Sequence, residues 1–293
     1  MKQRQQIITG LSYIFLIVTS FIMIYPLLFM LLGAFTTPEQ FLKSIILPIP
    51  NTLNAELFAW AWDNVSAAYA FTLTRVAFYL AVTLLVGLIG GYIFSKLNFP
   101  GKNKVFLLFL SGMVMPAILM LVPTYLMMAW WPNTGGNNWL GQGGHGLIED
   151  VRVLFILGWV PVFAIFLLKQ SFDMLPTDYQ DAAKMDGAGI FTIIFRVYGP
   201  LLKPPLVALT ILVFLGVWND YLWPSLTITG HTQYYPIGLR MGQILLLTFT
   251  SGGLVNYPAI FVISFLATWP PAAVYFLLQR YFVQGLVGSG LKG

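Results

Sequence analysis

The chain contains no cysteine, which excludes disulfides, thiolate metal sites and a cysteine nucleophile. Charge is also scarce. Only 9% of its 293 residues are Asp, Glu, Lys or Arg, against roughly 25% in an ordinary soluble domain. The two histidines, His145 and His231, are far apart and form no HExxH or other paired-ligand spacing, so no metal site is expected. No Gly-x4-Gly-Lys-Ser/Thr run occurs, and Gly101-Lys102-Asn103 lacks the earlier glycine of such a loop. The chain itself should therefore not cradle ATP. A Gly-x-Ser-x-Gly nucleophile elbow is missing as well. No catalytic residues are expected, and the protein should not be an enzyme. The formal net charge is +5, but no basic patch or stripe accompanies it, so nucleic acid is not an expected partner.

What is present is apolar sequence, 58% hydrophobic overall. Runs long enough to cross a bilayer recur along the whole length, which predicts an all-α integral membrane protein. Helices are expected because a lipid-facing backbone must satisfy its own hydrogen bonds, and a barrel would show short alternating segments. Six spans fit, near Ile7–Phe35, Ala70–Ser95, Val105–Trp131, Val151–Leu168, Leu206–Trp223 and Pro258–Leu278. The first run follows Lys2 and Arg4, exceeds a signal-peptide core and lacks a cleavage site near its end, so it is expected to be retained. Residues 1–293 read as one transmembrane domain without internal repeat, with residues 172–200 as a cytoplasmic loop between spans four and five.

Lys and Arg set the orientation. With the N-terminus inside, eleven lie on cytoplasmic segments and four (Lys43, Arg75, Arg152, Arg240) on the opposite side. This positive-inside bias places both termini in the cytoplasm. Arg75 and Arg152 are expected to snorkel from outer span ends. Gly87 and Gly91 form a small-xxx-small pair that predicts close helix packing. The outer loops expected are Thr36 to Tyr69 with an interfacial "FAWAW", Trp131 to Gly146 rich in turn formers, and Pro224 to Tyr257.

One stretch is unlike the rest. "PTDYQDAAKMDGAGIFTIIFRVYGP", Pro176 to Pro200, gathers Asp178, Asp181, Lys184, Asp186 and Arg196 around small residues. Thr177 and Gln180 have capping-box spacing, and Asp178 and Asp181 suit the positive end of a helix dipole. Gly187 to Gly189 should end that helix, and "IFTIIFRV" should form a second one before Pro200. Pattern alone leaves two readings open, an amphipathic helix resting on the membrane surface or a docking element.

This stretch resembles the "EAA" signature of permease subunits of binding-protein-dependent ABC importers, roughly EAA, three residues, G, nine residues, then I-x-L-P. Asp181-Ala182-Ala183 stands at EAA, Gly187 at the glycine, and Val197-Tyr198-Gly199-Pro200 at the ending. "VMPAILMLVPTYLMM", "WNDYLWPSL" and "QRYFVQGLVGSGLKG" are similar to the maltose-type permease family. The resemblance implies a coupling helix docked on an ATPase, with contacts from Asp181, Ala182, Ala183 and Gly187. Lys184, Asp186 and Gly189 belong to the same candidate surface. It further implies a second homologous permease, two ATPase subunits carrying ATP and Mg, and an extracytoplasmic solute-binding protein delivering a sugar or oligosaccharide. The setting would be a bacterial inner membrane. The tail from Gly285 to Gly293 would reach the ATPase or remain a free terminus.

Asp220 should lie toward the outer end of the fifth span, where an ionisable group is a candidate functional site. With Trp218, Asn219 and Tyr221 it lines a sugar path, or with Trp223 it is an interfacial anchor. An ion-coupled secondary transporter and a membrane scaffold without transport are the competing functions.

Overall fold

The structure is a computed structural model that describes residues 2–43, 46–51, 54–157, 161–250 and 255–290. Among these, every regular element is helical. In chain order they are α1 (Lys2–Ala34), α2 (Pro38–Lys43), α3 (Ala55–Lys96), α4 (Lys102–Val114), α5 (Leu121–Ala129), α6 (Val153–Ile156) and α7 (Val162–Asp173). There follow α8 (Asp178–Met185), α9 (Ile190–Leu201), α10 (Lys203–Trp218), α11 (Leu222–Thr227), α12 (Ile237–Thr250) and α13 (Tyr257–Gly290). Four helical stretches among the described residues are long and apolar enough to cross a membrane: Ile8–Ala34, Ala55–Lys96, Lys203–Thr227 and Tyr257–Arg280.

Several elements differ from expectation, each for a local reason. The expected third span is divided into α4 and α5 around Pro116, which lacks an N–H and restricts the residue before it. In the expected fourth span α6 ends at Ile156 and α7 starts after Pro161; residues 158–160 lie outside the described residues. The supposed outer loop from Pro224 to Tyr257 is largely helical, holding most of α11 and all of α12. "FAWAW" is not a loop but lies in the first turns of α3. Residues 285–290 belong to α13, while Lys292 and its neighbours lie outside the described residues.

The chain forms two compact units, one of Met1–Ala67 with Met241–Pro270, the other of Ala68–Arg240 with Pro271–Gly293. In the first, Phe29, Phe41 and Phe261 meet edge to face with ring centroids 5.3–6.0 Å apart. Gly33 permits this, because a Cβ there would come within 2.6 Å of the Phe261 ring. α1 still exposes large apolar side chains such as Phe15 and Met23, as a lipid-facing helix does.

In the second unit α3 lies against α7 at backbone distance. A Cβ on Gly91 would meet Leu168 Cβ at 2.9 Å and the Leu168 and Lys169 backbone at 3.0 Å. One on Gly87 would stand 3.1 Å from Ala164 Cβ. The small-xxx-small pair therefore packs as its spacing predicts. Just beyond it, Tyr92, Phe172 and Tyr198 form a buried triangle with centroids 5.3–6.2 Å apart.

Candidate functional site

Two places in the second unit hold polar groups against this apolar background. The first is the segment around α8. Asp178, Asp181, Ala182, Lys184, Asp186, Gly187 and Gly189 are all exposed. Apolar Met185, at 89% exposure, and Phe191, at 64%, stand beside them. A loose Lys184–Asp181 contact of 3.8 Å is the only ion pair on this helix among the described residues. Ala183 instead turns inward, packed in the cluster of Tyr92, Phe172 and Tyr198. The helix ends as its glycine predicts. Gly187 has φ +78°, its N–H bonds Lys184 O, and the Ala188 N–H bonds Ala183 O at 2.9 Å, the paired pattern of a Schellman turn.

The start of α8 corrects the sequence expectation. No Thr177–Gln180 capping box forms, since Thr177 makes no side-chain cap. Gln180 is buried, and its Oε1 accepts a hydrogen bond from the Tyr92 hydroxyl at 2.7 Å. Tyr198 OH donates to Pro176 O at 3.1 Å, and Lys96 Nζ to Leu175 O at 2.6 Å. Three side chains from α3 and α9 thus hold the base of an otherwise exposed knob. Nor does the second helix stop before Pro200: α9 passes through it, with a wider π-turn at Ile193–Tyr198. Such a turn suits a proline that supplies no N–H to the helix ladder.

The second place is the level of Arg75. Its side chain is not snorkelling but is 2% exposed. Nη2 donates to Asp220 Oδ2 at 2.7 Å, and Nε to Leu154 O at 3.3 Å. Nε and Nη2 thus find acceptors inside the protein, while Nη1 has none among the described residues. The acceptor carbonyls follow from the shortness of α6, since the last four carbonyls of a helix have no partner within it. Leu154 O also accepts from Tyr79 OH at 3.0 Å, and Val153 O from Trp223 Nε1 at 3.2 Å. Asp220 itself sits in the break between α10 and α11.

Of the residues expected to line a path with Asp220, the structure turns Trp218 into the core. It is 2% exposed, stacked on Phe214 and edge-on to Tyr69. Asn219 and Tyr221 are exposed. Sequence reasoning missed Arg75 as the partner of Asp220. The signal available was one lone cation and one lone acid, each within an apolar run.

The turn-rich segment from Trp131 to Gly146 is compact. Asn137 Nδ2 donates to Ala129 O and Trp131 O, while its Oδ1 accepts from the Gly144 N–H. Next to it Glu149 binds the Thr229 hydroxyl and the Thr229 and Gly230 N–H groups. Partial burial works to raise the Glu149 carboxyl. The Thr229 hydroxyl, the two N–H groups and nearby His231 outweigh it, leaving the group below its ordinary value. Arg152 is exposed and paired with Asp150 at 2.6 Å, and hydrogen bonds from Arg152 hold the Asp150 carboxyl low.

Known proteins share both the sequence and the fold. Over 95% of its length the chain is 25% identical to the lactose transport system permease protein LacG of Rhizobium radiobacter, covering 94% of that protein. It is 27% identical to the arabinooligosaccharides transport system permease protein AraQ of Bacillus subtilis, with 96% and 94% covered. A solved bacterial ABC transporter involved in the import of the acidic polysaccharide alginate has the same fold: one of its chains matches with TM-score 0.79 at 19% identity, over 94% of this chain and 97% of that one. Residues 83–288, more than half the chain, match the family model described as binding-protein-dependent transport system inner membrane component. The chain belongs to that family.

Proposed function

We propose that this chain is a permease subunit of an ABC importer that moves a sugar or oligosaccharide delivered by an extracytoplasmic binding protein. The exposed α8 knob carries the proposal. Among the described residues its charged side chains make no ion pair beyond the loose Lys184–Asp181 contact and Met185 stands exposed, while buried hydroxyls hold its base. Asp181, Ala182, Lys184, Asp186, Gly187 and Gly189 face the ATPase, and Ala183 fastens the knob to the spans. ATP and Mg act on that separate ATPase, of which two copies serve this chain and a second, homologous permease.

Six crossings are assigned to α1, α3, the α4–α5 pair, the α6–α7 pair, the α10–α11 pair and α13. α12 has 14 residues, ~21 Å at helical rise, short of the ~30 Å hydrocarbon core. The Lys and Arg distribution supports a cytoplasmic side for the termini and α8, in a bacterial inner membrane. When the ATPases close, α8 moves and the hydroxyl bonds at its base carry that motion to α3 and α9.

Ala182→Trp tests the assignment. Ala182 is exposed on α8, so the bulk projects outward and leaves the left-handed turn at Gly187 untouched. The variant should lose binding-protein-stimulated ATPase activity, or the ATPase should no longer co-purify with it. Full stimulation and transport by the variant would refute the docking surface. Uptake by this chain alone, driven by an ion gradient, would instead support a secondary transporter. Among the described residues the acid within the fifth span, Asp220, is already bound to Arg75, which disfavours that alternative.

A further inference from the structure

Beside the Arg75–Asp220 pair lies an open cavity of about 260 Å³ lined by Arg75, Tyr79, Gly216, Asp220 and Trp223 among others. We infer that this cavity is a subsite on this chain for a neutral, hydroxyl-bearing sugar ring, and that it discriminates against acidic sugars. The inference rests on the importer function proposed above and narrows its substrate class.

Three observations lead to it. First, Arg75 Nη1 is buried and has no hydrogen-bond partner among the described residues. A donor left so within a membrane protein calls for an acceptor that arrives. Second, Asp220 uses Oδ2 for the ion pair, whereas Oδ1 accepts no hydrogen bond among the described residues. A sugar hydroxyl both donates and accepts, so adjacent hydroxyls satisfy an orphan N–H and an open carboxylate oxygen together. Third, the two aromatic rings are fixed in advance. Tyr79 OH and Trp223 Nε1 are held by consecutive carbonyls of α6, Leu154 and Val153; the Arg75 guanidinium already lies over the Tyr79 ring at 5.9 Å, which leaves Trp223 to meet the apolar face of a pyranose.

Charge decides the class. The residues lining the cavity hold one cation and one anion, already paired at 2.7 Å, so the wall is neutral. An anionic sugar would bring a second negative charge to Asp220 with no free cation to meet it, and an unpaired charge is an effective means of exclusion. Asp220 is 23% exposed at its side chain. A partly open carboxylate within a span faces a watered path or a protein neighbour rather than lipid; the subsite requires the watered path.

Gly216 allows a test that spares the ion pair. It is exposed, and a Cβ there meets nothing within 4 Å. The purified transporter assembly, without binding protein, is titrated with maltotriose in one arm and glucuronate in the other, following tryptophan fluorescence. Maltotriose should perturb the signal and glucuronate should not. Gly216→Phe should weaken maltotriose binding roughly tenfold or more, while Gly216→Ala should not. Unaltered binding by Gly216→Phe, tighter binding of glucuronate by the wild type, or no response to either probe would each overturn the subsite. ATPase stimulation by the binding protein, measured on the same preparation, tests the importer function separately.

Discussion

α3 meets the rest of its unit at two polar levels, Arg75 and Tyr92, that are built on opposite principles. They lie 17 residues apart, ~25 Å along the helix. At the Arg75 level a full charge is buried and answered by another charge from a residue 145 positions away. At the Tyr92 level the buried groups are neutral, a tyrosine hydroxyl on an amide and another on a carbonyl. Apart from half-buried Lys96, which donates to Leu175 O, the charges there, on α8, remain outside. A buried charge pair is costly to separate and fixes geometry. Neutral hydroxyl bonds are weaker, and they leave the exposed charges of α8 available to another protein. The contrast fits one level that holds a cavity in shape and another that transmits movement.

Removing one partner of the charged level should have the largest effect. Asp220→Leu leaves Arg75 buried without its counter-charge and should cost about 3–5 kcal/mol, read as lost yield and lowered Tm of the detergent-purified assembly. Arg75→Leu should cost less, because Asp220 is 23% exposed against 2% for Arg75 and water takes up part of its charge. Equal losses from the two variants would contradict the asymmetry.

Next comes the contact that sets α3 against α7. Gly91→Ala places a methyl 3.0 Å from α7 backbone, which moves only with the helix. Overpacking of this kind should cost about 1–3 kcal/mol, whereas alanine at Gly112, where a Cβ meets nothing within 4 Å, should be nearly neutral in the same melt. At the neutral level, Tyr92→Phe strips Gln180 Oε1 of its donor in a buried place, for about 1 kcal/mol. Its expected signature is functional: ATP turnover should become less dependent on the binding protein while the assembly still purifies intact. A variant that remains tightly coupled would remove Tyr92 from the transmission path.

The smallest effect lies outside both levels. The folded Glu149 carboxyl is held below its ordinary value, so its bonds to Thr229 and Gly230 stabilise the fold fully above the unfolded pKa of about 4.3. That contribution is lost as pH falls through the folded value. Thermal melts of the wild type between pH 6 and pH 3 should show this loss, and Glu149→Gln should flatten that part of the profile.

The exposed part of the α8 segment was readable because it depends on neighbours in sequence. Gly187 stops a helix through its own φ, and Asp178 and Asp181 stay exposed because nothing apolar demands their burial. Its attachment was not readable. Thr177 and Gln180 have capping-box spacing, but Tyr92, 88 residues away, binds Gln180 instead. Pro200 likewise looked like a stop, and a π-turn carries the helix through it.

By itself the sequence determined that the chain belongs in lipid, that its backbone there is helical, and that Gly87 and Gly91 make a surface smooth enough for another helix. These follow from composition and periodicity, which act over a few residues at a time. Tertiary structure alone decided that Arg75 turns inward to Asp220, that Trp218 leaves the cavity wall, and that Ala183 faces the core. Each depends on which distant group supplies the acceptor or the apolar contact, and a buried polar group settles wherever that partner is found.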